Sequence, residues 1–430
     1  MNECVFRPIS ASTLPYDQHL FKNSNTPLSS VELSKAFWYN PVPVKRPPKT
    51  NNKLRVFEAF AGIGAQASAL DRLGINYEIV GTSEWFVNAL ECYAAIHCAG
   101  APEPHVPNER KELLAYLSHF TFSNDSVTPA SITKAPIAKL KKLYRLNKLC
   151  RNYGSITQIR PEDLPDIDLL VYSFPCQDLS TGGLGRGMGK GSGTRSGLLW
   201  EIERILTGLK SENRLPEYLL LENVPAIKAQ SFQKDLGLWL AFLESVGYKN
   251  DDLILLNALD FGVPQDRTRA FIVSHLETRL DVGKNIEALK RPREFRIHDF
   301  LKTDYSRSPI HRAEADEAQL RNTPSRQVMW KINGRETITN KTVIGTITTN
   351  MDRTHTAALF RYSGKMGESF RRPTMREAFL LMGFSEEEYE RAKVLGFPYR
   401  KLNKLIGNSI VVNVLSAIFE VLFKDKYRRA

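Results

Sequence analysis

Apolar and polar positions alternate along this chain in blocks of changing period. Residues 54–60 form an apolar run with the look of a buried strand, Gly62-Ile63-Gly64 makes a turn, residues 65–73 carry helical spacing, and residues 77–81 are apolar again. A strand–helix–strand unit of this kind implies a right-handed crossover and parallel strands. Apolar runs recur at residues 169–173, 218–221 and 270–273, with helix-spaced stretches at 198–209 and 232–246. The alternation predicts an α/β fold around a parallel sheet.

Elsewhere the pattern changes. Residues 1–50 end in Pro41-Val42-Pro43 and Pro47-Pro48, which cannot sustain a helix or central strand, so they read as an extended N-terminal arm. Residues 101–150 are a polar insert carrying Lys139, Lys141, Lys142, Arg145 and Lys148. A solvated helix face is preferred there over a nucleic-acid contact. Residues 303–402 open with Arg, Thr and Asn and short β-like runs, which predicts a second, smaller domain. Residues 404–423 return to an apolar helical pattern.

The 430 residues are enough for two or three domains, and 42% hydrophobic with 25% charged residues is ordinary for a soluble globular protein. A formal net charge of +12 leaves room for a polyanionic partner without naming it. No membrane span or secretory signal is expected. The five cysteines, Cys4, Cys92, Cys98, Cys150 and Cys176, are scattered. They exclude a disulfide framework and a paired zinc knuckle, so no metal is expected, and a reduced cytoplasmic compartment fits.

Several strand ends carry candidate chemistry. Phe60-Ala61-Gly62-Ile63-Gly64 is a tight turn or a cofactor cradle; Glu84, after the second strand, can bind ribose hydroxyls, and Trp85 can pack on an adenine. Ala67 stands where a dinucleotide fingerprint has its third glycine, which disfavours a pyrophosphate cofactor and leaves an adenosyl one open. Cys176 follows an apolar strand, where a nearby cation would favour its thiolate. Alone it reads as inert, but glycines at 182, 183, 185, 187, 189, 191 and 193, with Arg186, Lys190 and Arg195 among them, suggest a mobile cationic lid. Glu222, at another strand end, suits a proton donor. Gln265, Arg267 and Arg269 share one face at period two, where guanidiniums suit a carbonyl or phosphate.

In this order the segments resemble the DNA cytosine-5 methyltransferase family, in its bacterial restriction-modification form. The resemblance runs from Phe60-Ala61-Gly62-Ile63-Gly64 through Pro175-Cys176-Gln177, Glu222-Asn223-Val224 and Gln265-Asp266-Arg267-Thr268-Arg269. It continues with Arg372-Pro373-Thr374-Met375-Arg376-Glu377-Ala378 and ends at Gly407-Asn408-Ser409-Ile410.

The family resemblance implies an S-adenosylmethionine-dependent, Rossmann-like methyltransferase domain with a smaller target-recognition domain. Residues 51–302 would form the first, completed by residues 403–430, and residues 303–402 the second. It implies catalytic roles for Cys176, Glu222, Arg267 and Arg269. Phe60, Gly62, Ile63, Gly64, Glu84, Trp85, Ser155, Ile156, Pro175, Leu198, Asn408 and Ser409 would hold the cofactor. Ser155 departs from the family's usual aspartate, which predicts weaker cofactor binding at most. DNA contacts are implied at Gln177, Ser180, Arg186, Arg195, Thr346, Thr348 and Arg353. The expected partners are double-stranded DNA and a cognate restriction endonuclease, with the enzyme acting as a monomer. A transfer-RNA cytosine-5 methyltransferase shares this fold and chemistry, but the roughly 100 residues between Arg269 and Arg372 favour DNA. A catalytically silent nucleic-acid-binding relative is disfavoured by the intact Cys176, Glu222, Arg267 and Arg269.

Overall fold

The computed structural model describes residues 52–176, 179, 187–191, 193–332, 343–351 and 359–427. The apolar runs become a seven-stranded sheet. Strands β1 (Leu54–Ala59), β2 (Tyr77–Ser83), β3 (Leu169–Tyr172) and β4 (Tyr218–Asn223) pair in parallel in the order β2-β1-β3-β4. Three more strands complete it: β5 (Lys249–Asn250), β6 (Ile254–Asn257) and, after the short β7 (Gln265–Asp266), β8 (Thr268–His275). β8 runs antiparallel to β4, β5 and β6. The sheet is therefore mixed rather than wholly parallel: β5, β6 and β8 follow one another through short links, with no helical crossover to keep them parallel.

Strand alternation sorts the core. Leu169, Val171, Tyr218, Leu220, Phe271 and Val273 lie in one buried cluster, while Leu170, Tyr172, Leu219, Leu221, Ala270 and Ile272 lie in another. The first face is covered by α1 (Ala65–Arg72) and α2 (Val87–His97). In the insert, α3 (Arg110–Leu117) and α4 (Ile137–Leu149) build a third cluster against α2. The second face is covered by α5 (Leu199–Ser211) and α6 (Gln233–Val246). Such two-sided cover makes every central strand side chain a core residue.

The basic residues of the insert are partnered locally. Lys141 donates to Asn108 at 2.7 Å, Lys142 pairs with Glu91 at 2.7 Å, and Arg145 pairs with Glu103. Lys139 donates to Asn124 at 3.2 Å, and Lys148 sits 4.4 Å from the Tyr116 ring centroid. These contacts fit the solvated-face reading.

The smaller region contains α7 (Pro309–Ala318), α8 (Pro324–Ile332), the short β9 (Ile344–Gly345) paired to β7, and the antiparallel hairpin of β10 (Phe360–Gly364) and β11 (Gly367–Arg371). Next come α9 (Met375–Leu381), α10 (Glu386–Lys393), α11 (Tyr399–Asn408) and α12 (Val412–Phe423). Phe379, Phe384, Tyr389 and Ala392 of this run lie in the same cluster as α1 and α2, and Arg391 donates to the Ile96 carbonyl at 2.9 Å. Helices α9 and α10 thus pack on the large core, as do Ala318, Ile344, Ile347 and Phe360 of the smaller region. Charged Glu386, Glu387 and Glu388 mask this packing in the sequence because they face outward or cap α10.

The 404–423 pattern is two helices, broken at Ser409. Tyr399–Phe423 is long and apolar enough to cross a membrane by length and composition, yet 67% of its apolar 18-residue window is buried inside the fold, as a core element is.

Candidate active site

The carboxyl ends of β1 to β4 open into one cavity of about 580 Å³, the place where ligands gather in open α/β sheets. Its two ends differ in chemistry.

One end lies beyond β1 and β2. Phe60 leaves β1 at φ 58° and lines the cavity with Ile63. A left-handed non-glycine residue costs roughly 1–3 kcal/mol, which the surrounding structure must offset. Glu84 accepts hydrogen bonds from the Gly62 N–H at 2.9 Å and the Phe86 N–H at 2.7 Å. These bonds aim the carboxylate and leave lone pairs for further donors. Burial outweighs them and pushes its carboxyl up to about 7. Trp85, Ile156 and Leu198 add apolar walls, and Ser155, Asn408 and Ser409 add polar ones. The set fits an adenosyl group: a carboxylate for ribose hydroxyls, flat apolar faces for a ring, and no lysine or arginine on residues 60–66 for a pyrophosphate.

Gly64 is the exception among the expected cofactor residues. It does not line the cavity; it caps α1 at φ 80°, and a Cβ there would sit 2.3 Å from His97 Nε2. Its glycine answers a packing need.

The other end gathers β3, β4 and β8. The Asn223 amide donates to the Phe174 carbonyl at 3.0 Å, and the Ser196 hydroxyl donates to the Pro175 carbonyl at 2.7 Å. Both fix the backbone that leads to Cys176, which lines the cavity half-buried. Glu222 is buried, accepts from the Ser173 hydroxyl, and lies 3.5 Å from Arg269 Nε. Burial, and next the Glu222 charge, push the Cys176 thiol up, against the opposing pull of Arg269. The expected cation is present but does not prevail in the free protein.

Arg267 and Arg269 do not share a task. Arg267 is buried and donates to the carbonyls of Ile347 at 2.8 Å, Gly407 at 3.2 Å and Ser409 at 2.7 Å. Gln265 likewise bonds the Ile347 N–H at 2.9 Å and the Leu381 carbonyl at 2.6 Å. The alternation that put all three on one face stops at Arg267, between β7 and β8. Arg267 reaches the cavity wall with its terminal nitrogens on these carbonyls, whereas Arg269 lies beside Glu222.

Among the expected DNA contacts, Arg195 lines the cavity. Thr346 donates its hydroxyl to the Asp266 carbonyl at 2.6 Å, and the Thr348 backbone packs against Gly407, where a Cβ would lie 2.5 Å from it. Gln177, Ser180, Arg186 and Arg353 lie outside the described residues. The described part of the glycine-rich segment is pinned rather than free. Met188 is fully buried, its carbonyl accepts from the Trp200 indole at 2.7 Å, Thr194 bonds the Gly187 carbonyl at 3.0 Å, and Lys190 pairs with Glu203 at 2.8 Å. An aromatic anchor 12 residues away was not visible in local composition.

Three supports were not assigned from sequence: Ser173, Ser196 and the loop at residues 121–129, four of whose residues line the cavity. Their partners are distant in the chain, so no local pattern marks them. Asn223 was inside a recognised motif, but its role on the Phe174 carbonyl was not.

The geometry has clear relatives. A family profile described as C-5 cytosine-specific DNA methylase matches residues 112–424. The chain is 36% identical over 390 residues to the orphan methyltransferase M.SssI of Spiroplasma monobiae, covering 86% of this chain and 97% of the relative. It is 35% identical over 384 residues to the type II methyltransferase M2.ScrFI of Lactococcus lactis subsp. cremoris, covering 87% and 100%. Among solved structures, the S. pombe Dnmt2 methyltransferase superposes with a TM-score of 0.58 at 20% identity, covering 87% of this chain and 99% of that one.

Proposed function

The chain belongs to the C-5 cytosine-specific DNA methylase family and is a DNA (cytosine-5-)-methyltransferase, and we propose that it acts on a cytosine flipped out of duplex DNA through a covalent bond from Cys176 to ring carbon 6. One observation carries this reading: Cys176, Glu222 and Arg269 converge at one end of a cavity whose other end suits an adenosyl group.

Cytosine C5 is a weak nucleophile and must be activated. The Cys176 thiolate, its proton passed to solvent, gives an electron pair to C6, and the C5–C6 π pair moves to C5. Glu222 gives a proton to N3 as this happens, and Arg269 holds the ring carbonyl, so little charge builds on the base. Glu84 and the apolar walls would hold S-adenosylmethionine, which would supply the electrophilic methyl group for C5 and leave as S-adenosylhomocysteine. The C5 proton then leaves to solvent, the Cys176–C6 bond breaks, N3 returns its proton to Glu222, and the ring regains aromaticity. A stacked base cannot meet Cys176, which is why flipping is part of the proposal. Arg267 is a positioning residue here, because it clamps the segments that carry Ile347 and Ser409.

A modification role in a restriction-modification system fits the type II name of one relative, while the other is named an orphan methyltransferase; action as a monomer, with a cognate endonuclease cutting the same sequence, is part of the same proposal. The region around Thr346 and Thr348 is proposed to read that sequence. Incubation with tritiated S-adenosylmethionine and either duplex DNA or transfer RNA tests the substrate. Label in DNA is expected; none there, or full activity in Cys176→Ser, overturns the proposal. Duplex DNA bearing 5-fluorocytosine should trap a stable covalent complex with the wild-type chain.

A further inference from the structure

We propose that the loop at residues 121–129, inside the polar insert, is a cofactor-binding element covering the adenosine end of the pocket, with Val127 as its contact side chain. This rests on the adenosyl reading of that pocket. Thr121, Val127 and Pro129 line the cavity that Glu84 and Trp85 also line. The loop is joined to the backbone that follows β2: the Ser123 N–H donates to the Trp85 carbonyl at 2.7 Å, and the Val87 N–H donates to the Ser123 carbonyl at 2.9 Å. It therefore sits beside the residue pair expected to meet ribose and adenine, away from Cys176 in the chain and on a different strand end.

The loop is built to hold a shape. Asp125 accepts from the N–H groups of Val127 at 2.7 Å and Thr128 at 2.8 Å, and the Ser123 hydroxyl donates to the Thr128 carbonyl at 2.7 Å. From α11, Lys404 Nζ donates to the Asp125 carbonyl at 2.6 Å and lies 4.9 Å from the Phe86 ring centroid. Because α11 ends at the Asn408 wall of the same cavity, Lys404 ties two walls together. Val127 remains 51% exposed on this fixed loop. An apolar side chain held in water at a pocket rim gains by covering a flat apolar ligand surface. The insert thus serves the cofactor through its loop, while its basic helix face stays solvated.

Titration calorimetry of S-adenosylhomocysteine against the full-length chain tests this. Val127→Asp should weaken binding about 10-fold and Val127→Ala about 3-fold, the loss of a modest apolar contact. Lys404→Met should weaken it about 3-fold by releasing the loop. In the Val127 variants the melting temperature and the affinity for duplex DNA should not change, since Val127 is exposed. Amides of residues 121–129 should gain hydrogen-exchange protection when S-adenosylhomocysteine is added. Wild-type affinity in both Val127→Asp and Lys404→Met, or unchanged protection, overturns the proposal. Glu84→Ala separates the two readings. If it alone loses binding, the loop assignment fails and the pocket stands; if it too binds normally, the pocket reading fails with it.

Discussion

Two neighbouring regions use the same kinds of residue for different ends. At the strand-end site, Cys176, Glu222 and Arg269 face a cavity, and the backbone that leads to Cys176 is fixed by the Asn223 and Ser196 side chains. At the seam beside it, Gln265, Arg267 and Thr346 turn their polar atoms onto backbone carbonyls and N–H groups of three converging segments. Arg269 and Arg267 are two residues apart, yet one lies beside a carboxylate and the other replaces missing sheet hydrogen bonds. A guanidinium has five donors in a rigid fork, so it can do either. Arg269 places one nitrogen on the adjacent Thr268 carbonyl at 2.7 Å and its Nε beside Glu222, whereas Arg267 spreads its terminal nitrogens over three distant carbonyls.

This contrast can be broken by substitution. Cys176→Ala should lower methyl transfer at least about 1000-fold, as expected for loss of a covalent nucleophile, with an unchanged melting temperature. Arg269→Met should lower kcat about 100-fold while stability holds, the scale of one lost charge-stabilising donor. Arg267→Met should do the reverse in emphasis. It strands the carbonyls of Ile347, Gly407 and Ser409 and should cost about 2–4 kcal/mol in chemical denaturation. Equal stability loss in both arginine variants would erase the distinction.

A subtler test reads the thiol itself. Iodoacetamide labelling of Cys176, followed by peptide mass spectrometry across pH, should give an apparent pKa above that of an ordinary thiol. Glu222→Gln should lower it and Arg269→Met should raise it, because the carboxylate opposes the thiolate and the guanidinium favours it. Movement in the opposite directions would refute the electrostatic account.

The smallest effect lies behind the site. Burial pushes the Glu58 carboxyl on β1 from 4.5 up to about 7. The folded chain therefore keeps a proton that the unfolded chain releases above about 4.5. Its contribution to stability is full below that value and is lost as pH rises through about 7. Glu58→Gln should flatten the melting profile across this range, with a gain of about 1–3 kcal/mol at the alkaline side. A variant as pH-dependent as the wild type would show that another group dominates.

Much of the cavity was legible because strand ends announce themselves. An apolar run that stops at Ser173, or at Glu222, tells where a side chain meets the carboxyl edge of a sheet. Asn223 and Ser196 were not legible as supports, since their acceptors at Phe174 and Pro175 lie 49 and 21 residues away. The packing of α9 and α10 on the large core was hidden for a related reason. Arg371 and Arg376 look like surface charge, but they are buried in ion pairs with Glu377 at 2.7 Å and Glu314 at 2.9 Å.

The sequence by itself determined the strand–helix alternation, the adenosyl-type turn and the order of the chemical groups, because these depend on local periodicity and on residues fixed at strand ends. Tertiary structure alone decided that Arg267 clamps the seam while Arg269 faces Glu222, that Gly64 serves packing, and that an insert loop borders the cofactor end. Those roles depend on which distant carbonyl or ring arrives within hydrogen-bonding or contact range, and spacing along one chain does not encode that.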